Sequence, residues 1–284
     1  MLILNSLQLL SALELGLIYC IVGFGVFLSF KIIDFPDLTV DGSFTLGAAV
    51  TTSMIVGGYD PLIATSAACL CGALAGLTTG ILSSKFKIFG LLAGILTMTA
   101  LYSVNLRIMQ KPNISIISEN TIFQSLNLLT LSIIVFVLLG LLHLFFKTEL
   151  GLASRASGSN IKACEALGIK VKSLHTLILA MSNLLVALSG SLFSQSQGFA
   201  DISMGSGTII IGLAAVIIGE AILSSEKILF SLAACLAGAI LYRILISVAL
   251  NSQDFGLEAT DLNLITSVMV VITMVLSKKG GKII

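Results

Sequence analysis

Histidines and clustered carboxylates, the side chains that most often carry out catalysis, are few in this chain. His143 and His175 are the only histidines, and both fall near the ends of apolar segments, where we expect interfacial polar residues. Asp34, Asp37 and Asp41 flank a proline, but they lack a supporting histidine, so we expect structural roles before gating or partner contacts. The chain has neither an HExxH zinc motif nor a GxxxxGK[ST] phosphate loop. It therefore predicts no catalytic residue, no metal site and no bound nucleotide.

The elements that must position any functional side chain are apolar. Of the 284 residues, 57% are hydrophobic and only 10% are charged, whereas soluble domains carry about 25% charged residues. A protein with so few charged residues cannot cover its surface with polar groups in water. The medium around it must therefore be lipid. The net charge of +1 gives no reason to expect a nucleic-acid partner.

Membrane spans are predicted from the stretches that lack charge, since a span needs roughly 20 mainly apolar residues. The second and seventh of these stretches are shorter and rich in glycine, which favours broken or re-entrant segments. The sequence thus predicts one all-α domain over residues 1–284, a polytopic transmembrane helical bundle of about 8–10 spans. The nine candidate segments are 13–31, 42–59, 61–83, 88–108, 125–146, 173–197, 204–223, 228–250 and 261–277.

The orientation follows from the basic residues, which concentrate on cytoplasmic loops. With nine crossings, twelve Lys and Arg residues fall on one side and three, Arg107, Lys111 and Arg243, on the other. This bias places the N-terminus outside and the C-terminus in the cytoplasm. Within the third segment, Gly72, Gly76 and Gly80 recur on one helix face and predict close helix packing.

One long cytoplasmic loop, residues 147–172, carries five basic and two acidic residues. Asn160 is a plausible N-cap, Ile161–Leu167 has helix-forming composition, and Gly168 fits the position after the helix. The predicted two-turn helix presents an apolar ridge formed by Ala163, Leu167 and Ile169. Such a helix is either a docking element for a soluble partner or a solvated connector.

Polar residues within or beside the spans are candidates for solute binding, because such groups usually face a cavity or one another. Asn105 and Arg107 could hold a carboxylate, although Arg107 could equally reach the headgroups. Gln195, Gln197 and Asp201 could line an outer vestibule, unless Asp201 caps the next helix.

Two further charged residues lie towards the ends of spans. Glu220 could contribute to an inner gate or pair with Lys227 or a basic residue of the long loop. Arg243, about 10 Å below the outer end of its span, is expected to reach the headgroups or to pair with another helix.

The two glycine-rich short segments, 41–50 and 201–216, each start from an Asp and end in Ala-Ala-Val. Paired interrupted segments in the two halves of a transporter point to its transport path. As a hypothesis, Phe44, Thr45, Thr208 and Gly212 approach such a path near mid-membrane.

Four blocks of the sequence carry a resemblance to a known family. The segment from Arg155 to Gly190 resembles the coupling segment and following span of permeases in the branched-chain amino-acid and ribose ABC importer superfamily, with matches at Arg155, Ala156, Gly158, Asn160, Gly168 and Ile169. Residues 30–50, 91–114 and 196–220 resemble its tryptophan/tyrosine-type branch. The resemblance covers nearly the whole chain.

The resemblance implies a permease homodimer in a bacterial cytoplasmic membrane, two cytoplasmic ATPase subunits and an extracytoplasmic binding protein. ATP and Mg would be bound by the ATPase, with no cofactor on this chain. The loop helix, with Arg155, Gly158, Asn160, Ala163, Leu167 and Gly168, would dock into that ATPase. The implied solute is an amino acid, in the nearest branch an aromatic one. The alternatives are an ion-coupled secondary transporter and a membrane-embedded enzyme.

Overall fold

The computed structural model describes residues 5–251, except 118, 124–126 and 224–226, together with 264, 266–268 and 271. Within this part, the chain forms ten α-helices, a π-helical segment and two short strands. The helices are α1 (Ser6–Val26), α2 (Thr39–Val56), α3 (Pro61–Ser84), α4 (Gly90–Met109), α5 (Asn127–Lys147), α6 (Glu149–Ser159), α7 (Ile161–Ala166), α8 (Val171–Gln197), α9 (Thr208–Ile222) and α10 (Ile228–Asn251). The π segment, Phe27–Ile32, directly continues α1.

The predicted all-α bundle is confirmed. In the described part, six helices are long and apolar enough to cross a membrane: α1 with its π segment, α3, α4, α5, α8 and α10. The second and seventh predicted segments form α2 and α9, which are short, as predicted. Each is nevertheless an unbroken helix, of 18 and 15 residues respectively. Most of the ninth predicted segment, 261–277, lies outside the described residues.

The core of the bundle is built where α1, α2 and α3 meet α8, and small residues allow the close approach. A Cβ added at Gly76 would lie 2.2 Å from the carbonyl oxygen of Leu179, and one added at Gly72 would lie 2.3 Å from Cβ of Ala187. Gly80 meets Thr176 one turn further along. The predicted glycine stripe is therefore confirmed as the face of α3 that packs on α8.

Buried polar side chains in this core satisfy one another. Asn183 of α8 donates to Asp37 at 2.6 Å and accepts from Ser43 of α2 at 2.6 Å. Asp37 also accepts the backbone N–H of Thr39, at the first residue of α2, at 3.0 Å. These hydrogen bonds hold the start of α2 against the middle of α8, where water is not available to do so.

The outward faces of α3 and α5 are apolar, as contact with lipid requires. On α5, Leu131, Val135 and Leu142 are buried in the bundle. Phe136 and Leu144 lie on the opposite face, with about 60% of their surface exposed. Because both faces are apolar, a helix of this kind is stable only between a protein core and hydrocarbon.

A small two-stranded sheet joins the ends of α4 and α8. Strand β1 (Asn113–Ser115) pairs antiparallel with β2 (Phe199–Asp201), with Ile114 opposite Ala200. The chain then turns back through residues 202–207 to begin α9. The sheet thereby fixes the position of this turn beside α2.

The loop over residues 147–172 contains two helices where one was predicted. The predicted helix is α7, and its N-cap is confirmed because Asn160 Oδ1 accepts the N–H of Ala163 at 3.0 Å. Gly168 follows α7 with a positive φ of 81°, a conformation that glycine adopts without strain. The helix that the sequence analysis missed is α6, whose N-cap is Thr148. Its Ser and Gly content gives weak helix propensity, so packing against the bundle must stabilise it.

Candidate functional site

The turn between β2 and α9 packs directly onto the first half of α2. The N–H of Gly205 donates to Thr45 Oγ1 at 3.1 Å. A Cβ on Gly205 would lie 2.1 Å from the carbonyl oxygen of Asp41. Only glycine therefore fits at this point, where the turn that leads into α9 meets α2.

Asp41 belongs to the first turn of α2, but its carboxylate caps α9. It accepts the backbone N–H of Gly207 at 3.0 Å and of Ile209 at 2.8 Å. These donors belong to the unpaired N–H groups that begin every helix, and a carboxylate there is also favoured by the helix dipole. In the sequence, Asp41 starts its own glycine-rich segment. The structure assigns its cap contacts to α9.

A groove of about 260 Å³ lies between α2, α4 and this turn. It opens at the surface of the chain, where Tyr102 is 54% exposed. Its polar lining is rich in hydrogen-bond acceptors and contains no basic side chain. The lining residues are Asp41, Gly42, Thr45, Met98, Thr99, Tyr102, Asn105, Ile202, Gly205 and Ser206.

Asn105 is the most informative residue of the groove. Its Nδ2 donates to the carbonyl oxygen of Gly42 at 3.3 Å, and this carbonyl, which can only accept, fixes the orientation of the amide. Its Oδ1 is buried and has no hydrogen-bond partner. An unpaired buried acceptor costs free energy unless a ligand or water supplies a donor. The wall of the groove thus contains a buried acceptor that has no hydrogen-bond partner.

Three other predicted path residues lie near the groove but do not line it. Phe44 is fully buried, with its ring stacked 6.0 Å from that of Tyr19. Thr208 is buried at the start of α9. Gly212 packs α9 on α1, because a Cβ there would meet Val26 at 2.6 Å. These residues shape the walls behind the groove.

Gln195, one of the predicted vestibule residues, is instead buried inside the bundle. Its Nε2 donates to Thr65 Oγ1 at 2.9 Å, and its Oε1 accepts the N–H of Ile122 at 3.1 Å. Gln195 therefore ties α8 to α3 and to the segment before α5. Gln197 and Arg107 are exposed at the ends of their helices, away from the groove lining.

Asp201 stabilises the turn that builds the groove. It accepts from the backbone N–H of Ser203 at 2.8 Å and from the Ser203 hydroxyl, and Asn113 Nδ2 lies 3.4 Å away. The Ser203 hydroxyl bond is the main reason that the pKa of the Asp201 carboxyl lies below its ordinary value.

Glu220, near the end of α9, pairs with Lys31 of the π segment, with Nζ 3.1 Å from Oε2. The sequence analysis considered pairing with Lys227 or the long loop. The partner is a residue 189 positions earlier in the chain. Both side chains are partly exposed, and the pair ties α9 to the end of α1.

The coupling segment, residues 147–172, presents its predicted contact residues outward. Arg155, Asn160 and Ala163 are exposed, and Leu167 is 80% exposed. Gly158 instead packs against the π segment, because a Cβ there would lie 1.9 Å from the carbonyl oxygen of Ile32. The segment thus has an outer surface free for a partner and an inner contact with the spanning helices.

The sequence analysis did not predict seven residues of the groove lining, nor Lys31 as the partner of Glu220; the seven are Gly42, Met98, Thr99, Tyr102, Ile202, Gly205 and Ser206. Nothing in their local sequence marks them, apart from the glycine-rich composition around Gly205. Among the described residues, no group of three or more His, Cys, Asp or Glu side chains is arranged to hold a metal ion. A groove among helices that are long and apolar enough to cross a membrane is an arrangement typical of membrane transport proteins.

Comparison with known proteins identifies the family. Residues 8–277 match the family described as the permease component of branched-chain amino acid transport systems. The chain belongs to this family of ABC transporter permeases, and it is a multi-pass membrane transport subunit, not itself an enzyme.

Two relatives are similar over much of the chain. The tyrosine transport system permease protein of Clostridioides difficile (strain R20291) is 39% identical over 265 residues, which cover 93% of this chain and 89% of that protein. An uncharacterized protein of Rickettsia prowazekii (strain Madrid E) is 36% identical over 179 residues, covering 61% and 63% respectively.

Proposed function

We propose that this chain is the membrane-spanning subunit of an ATP-driven importer for an amino acid, and that the groove between α2, α4 and the 202–207 turn lines the transport path. The observation that carries the proposal is the groove beside the middle and last third of α4, whose largely apolar walls include the Asp41 carboxylate, the Thr45 hydroxyl and the Asn105 amide. Polar groups at such depth are costly against lipid and belong beside a water-filled path or another protein surface.

A second copy of the chain is the partner that would shield the groove from lipid. Two copies related by a two-fold axis would enclose one path between their grooves. A solute entering it would meet the free Oδ1 of Asn105, the Asp41 carboxylate and the Thr45 hydroxyl. All three are acceptors, which suits the ammonium group of an amino acid. The name of the Clostridioides difficile relative supports an aromatic amino acid as the cargo.

The coupling segment supports the ATP-driven mechanism. Its exposed ridge of Ala163 and Leu167 offers an apolar helix face of the kind that fits a groove on a partner. We assign that partner as a pair of cytoplasmic ATPase subunits, and the cargo is delivered by an extracytoplasmic binding protein. With the N-terminus outside, the coupling segment and the Lys31–Glu220 pair lie on the cytoplasmic side.

Co-purification with candidate ATPase and binding-protein subunits, followed by reconstitution into proteoliposomes, tests this proposal. We expect a stable complex whose ATP hydrolysis rises with binding protein loaded with tyrosine or another amino acid, together with ATP-dependent uptake. Uptake by the chain alone, driven by an ion gradient and independent of ATP, would instead identify a secondary transporter.

A further inference from the structure

Arg243 lies within α10, in a second groove that the proposed path does not use. This groove has a volume of about 320 Å³ and runs between the outer half of α1 and the last turns of α10. Arg243 is eight residues from Asn251, the end of α10, or about 12 Å along the helix axis. It is a charged residue at membrane depth.

The Arg243 side chain is not directed to the nearer end of its helix. Its guanidinium carbon lies 4.4 Å from the centre of the Tyr19 ring on α1. Side chains on a helix tilt towards its N-terminus, which for α10 leads away from Asn251 and deeper into the bundle. Of the two sequence-based expectations for Arg243, contact with another helix describes this conformation, through Tyr19 of α1, whereas extension to the headgroups does not.

Arg243 has no charged partner among the residues that the structure describes. In that part of the chain, the ion pair formed is Lys31–Glu220. Glu14 of α1, next in sequence to the groove residue Leu15, therefore forms no ion pair with Arg243. Its Nε is buried and has no hydrogen-bond partner. Arg243 as a whole is partly buried. A guanidinium in an apolar setting without an anion is unfavourable, so an anion would stabilise it.

The guanidinium is held in place before any ligand binds. The Tyr19 ring beneath it is itself stacked on Phe44 at 6.0 Å and meets Phe193 edge-on at 6.0 Å. Stacking on an aromatic face leaves the edge of the guanidinium plane available, and this planar fork matches carboxylate and phosphate oxygens in pairs. A rigid support of this kind reduces the entropy lost on binding.

The rest of the groove indicates an amphiphilic ligand. Its walls are largely apolar, with Leu7, Leu15 and Ile246 among them, and the hydroxyl residues Ser11 and Ser247 lie beside Arg243. None of its lining residues is acidic. We propose that this α1–α10 groove binds an oxyanion, a carboxylate or a phosphate, through Arg243, with an apolar part of the same ligand against the groove walls.

A membrane lipid and an amino acid could each supply this oxyanion, and an experiment on the permease alone separates them. The purified chain is placed in dodecyl maltoside micelles, which carry neither phosphate nor carboxylate, and its melting temperature is measured after adding phosphatidylglycerol, L-tyrosine or tyramine, which lacks the carboxylate. Stabilisation by phosphatidylglycerol alone assigns a lipid phosphate. Stabilisation by tyrosine but not tyramine assigns a solute carboxylate. No ATPase or binding protein is needed, so failure of the importer proposal leaves this test unaffected.

The dependence on Arg243 decides the proposal. In Arg243→Gln we expect the apparent affinity for the stabilising probe to fall at least tenfold, with Arg243→Lys intermediate because it keeps the charge and loses the fork. Lys111→Gln, which removes an exposed charge elsewhere, should behave as the wild type. If Arg243→Gln does not fold, Tyr19→Leu keeps the charge and removes its support, and should also weaken binding. Equal responses of the wild type and these variants, or no response to any probe, would overturn the proposal.

Discussion

Replacing Gly158 by alanine is a direct test of how the coupling segment acts on the bundle. The added Cβ would lie 1.9 Å from the carbonyl oxygen of Ile32, whereas real Cβ contacts are essentially never below 3.0 Å. Helix α6 would therefore have to move away from the π segment by about 1 Å or more. Overpacking of this kind costs about 1–3 kcal/mol.

The displaced contact lies next to the Lys31–Glu220 pair, which ties the π segment to α9. If motion of the ATPase reaches the groove by this route, Gly158→Ala should reduce solute uptake per ATP hydrolysed several-fold. ATP hydrolysis itself should persist, because the outward ridge of α7 is unchanged. The measurement is the ratio of uptake to hydrolysis in proteoliposomes, together with the melting temperature of the complex.

Gly140→Ala is the matched control, since no heavy atom lies within 4 Å of the added Cβ. It makes the same chemical change on α5 and should leave both measurements at the wild-type level. Wild-type coupling and wild-type stability in Gly158→Ala would refute the proposed contact between the coupling segment and the π segment.

Three further predictions concern the groove and its supports. Asn105→Leu removes the unpaired acceptor and should lower uptake at least tenfold. Assembly of the complex, monitored by size-exclusion chromatography, should be retained. Normal uptake would show that Asn105 does not line the path. Lys31→Glu should impair uptake, and the double variant Lys31→Glu with Glu220→Lys should restore it. Because the pair is partly exposed, it contributes only about 0–1 kcal/mol to stability. If the double variant does not restore uptake, the ion pair itself is not required. The pKa of Asp201 is lower in the folded protein than in the unfolded chain, where it is about 3.9. The hydrogen bonds of Asp201 to Ser203 therefore stabilise the fold above the unfolded pKa. This contribution is lost as the pH falls through the pKa of the folded protein. Asp201→Asn should therefore reduce the loss of stability as pH falls below about 4. The measurement is thermal melting, and an unchanged acid profile would contradict this assignment.

Local features of the sequence were sufficient to predict the helices. Charge-free stretches located the spans to within a few residues, because lipid requires long apolar segments with internally satisfied backbones. The α7 helix was predicted with its N-cap at Asn160 and the glycine at 168, because caps depend on residues close in sequence. The glycine stripe of α3 was recognised for the same reason, since its period is that of a single helix.

The contacts between distant segments were decided by the tertiary structure alone. Gln195 was predicted to face a vestibule and is buried, since α8 packs against several helices and its own sequence does not show which neighbours its polar residues meet. Asp41 caps a helix that begins 167 residues later, at Thr208, and the partner of Glu220 is 189 residues away. The packing of α10 on α1 places the guanidinium of Arg243 over the ring of Tyr19. The sequence alone does not show this contact. Sequence determines which segments enter the membrane, whereas the packing of their faces decides which polar groups meet and which remain available to a ligand.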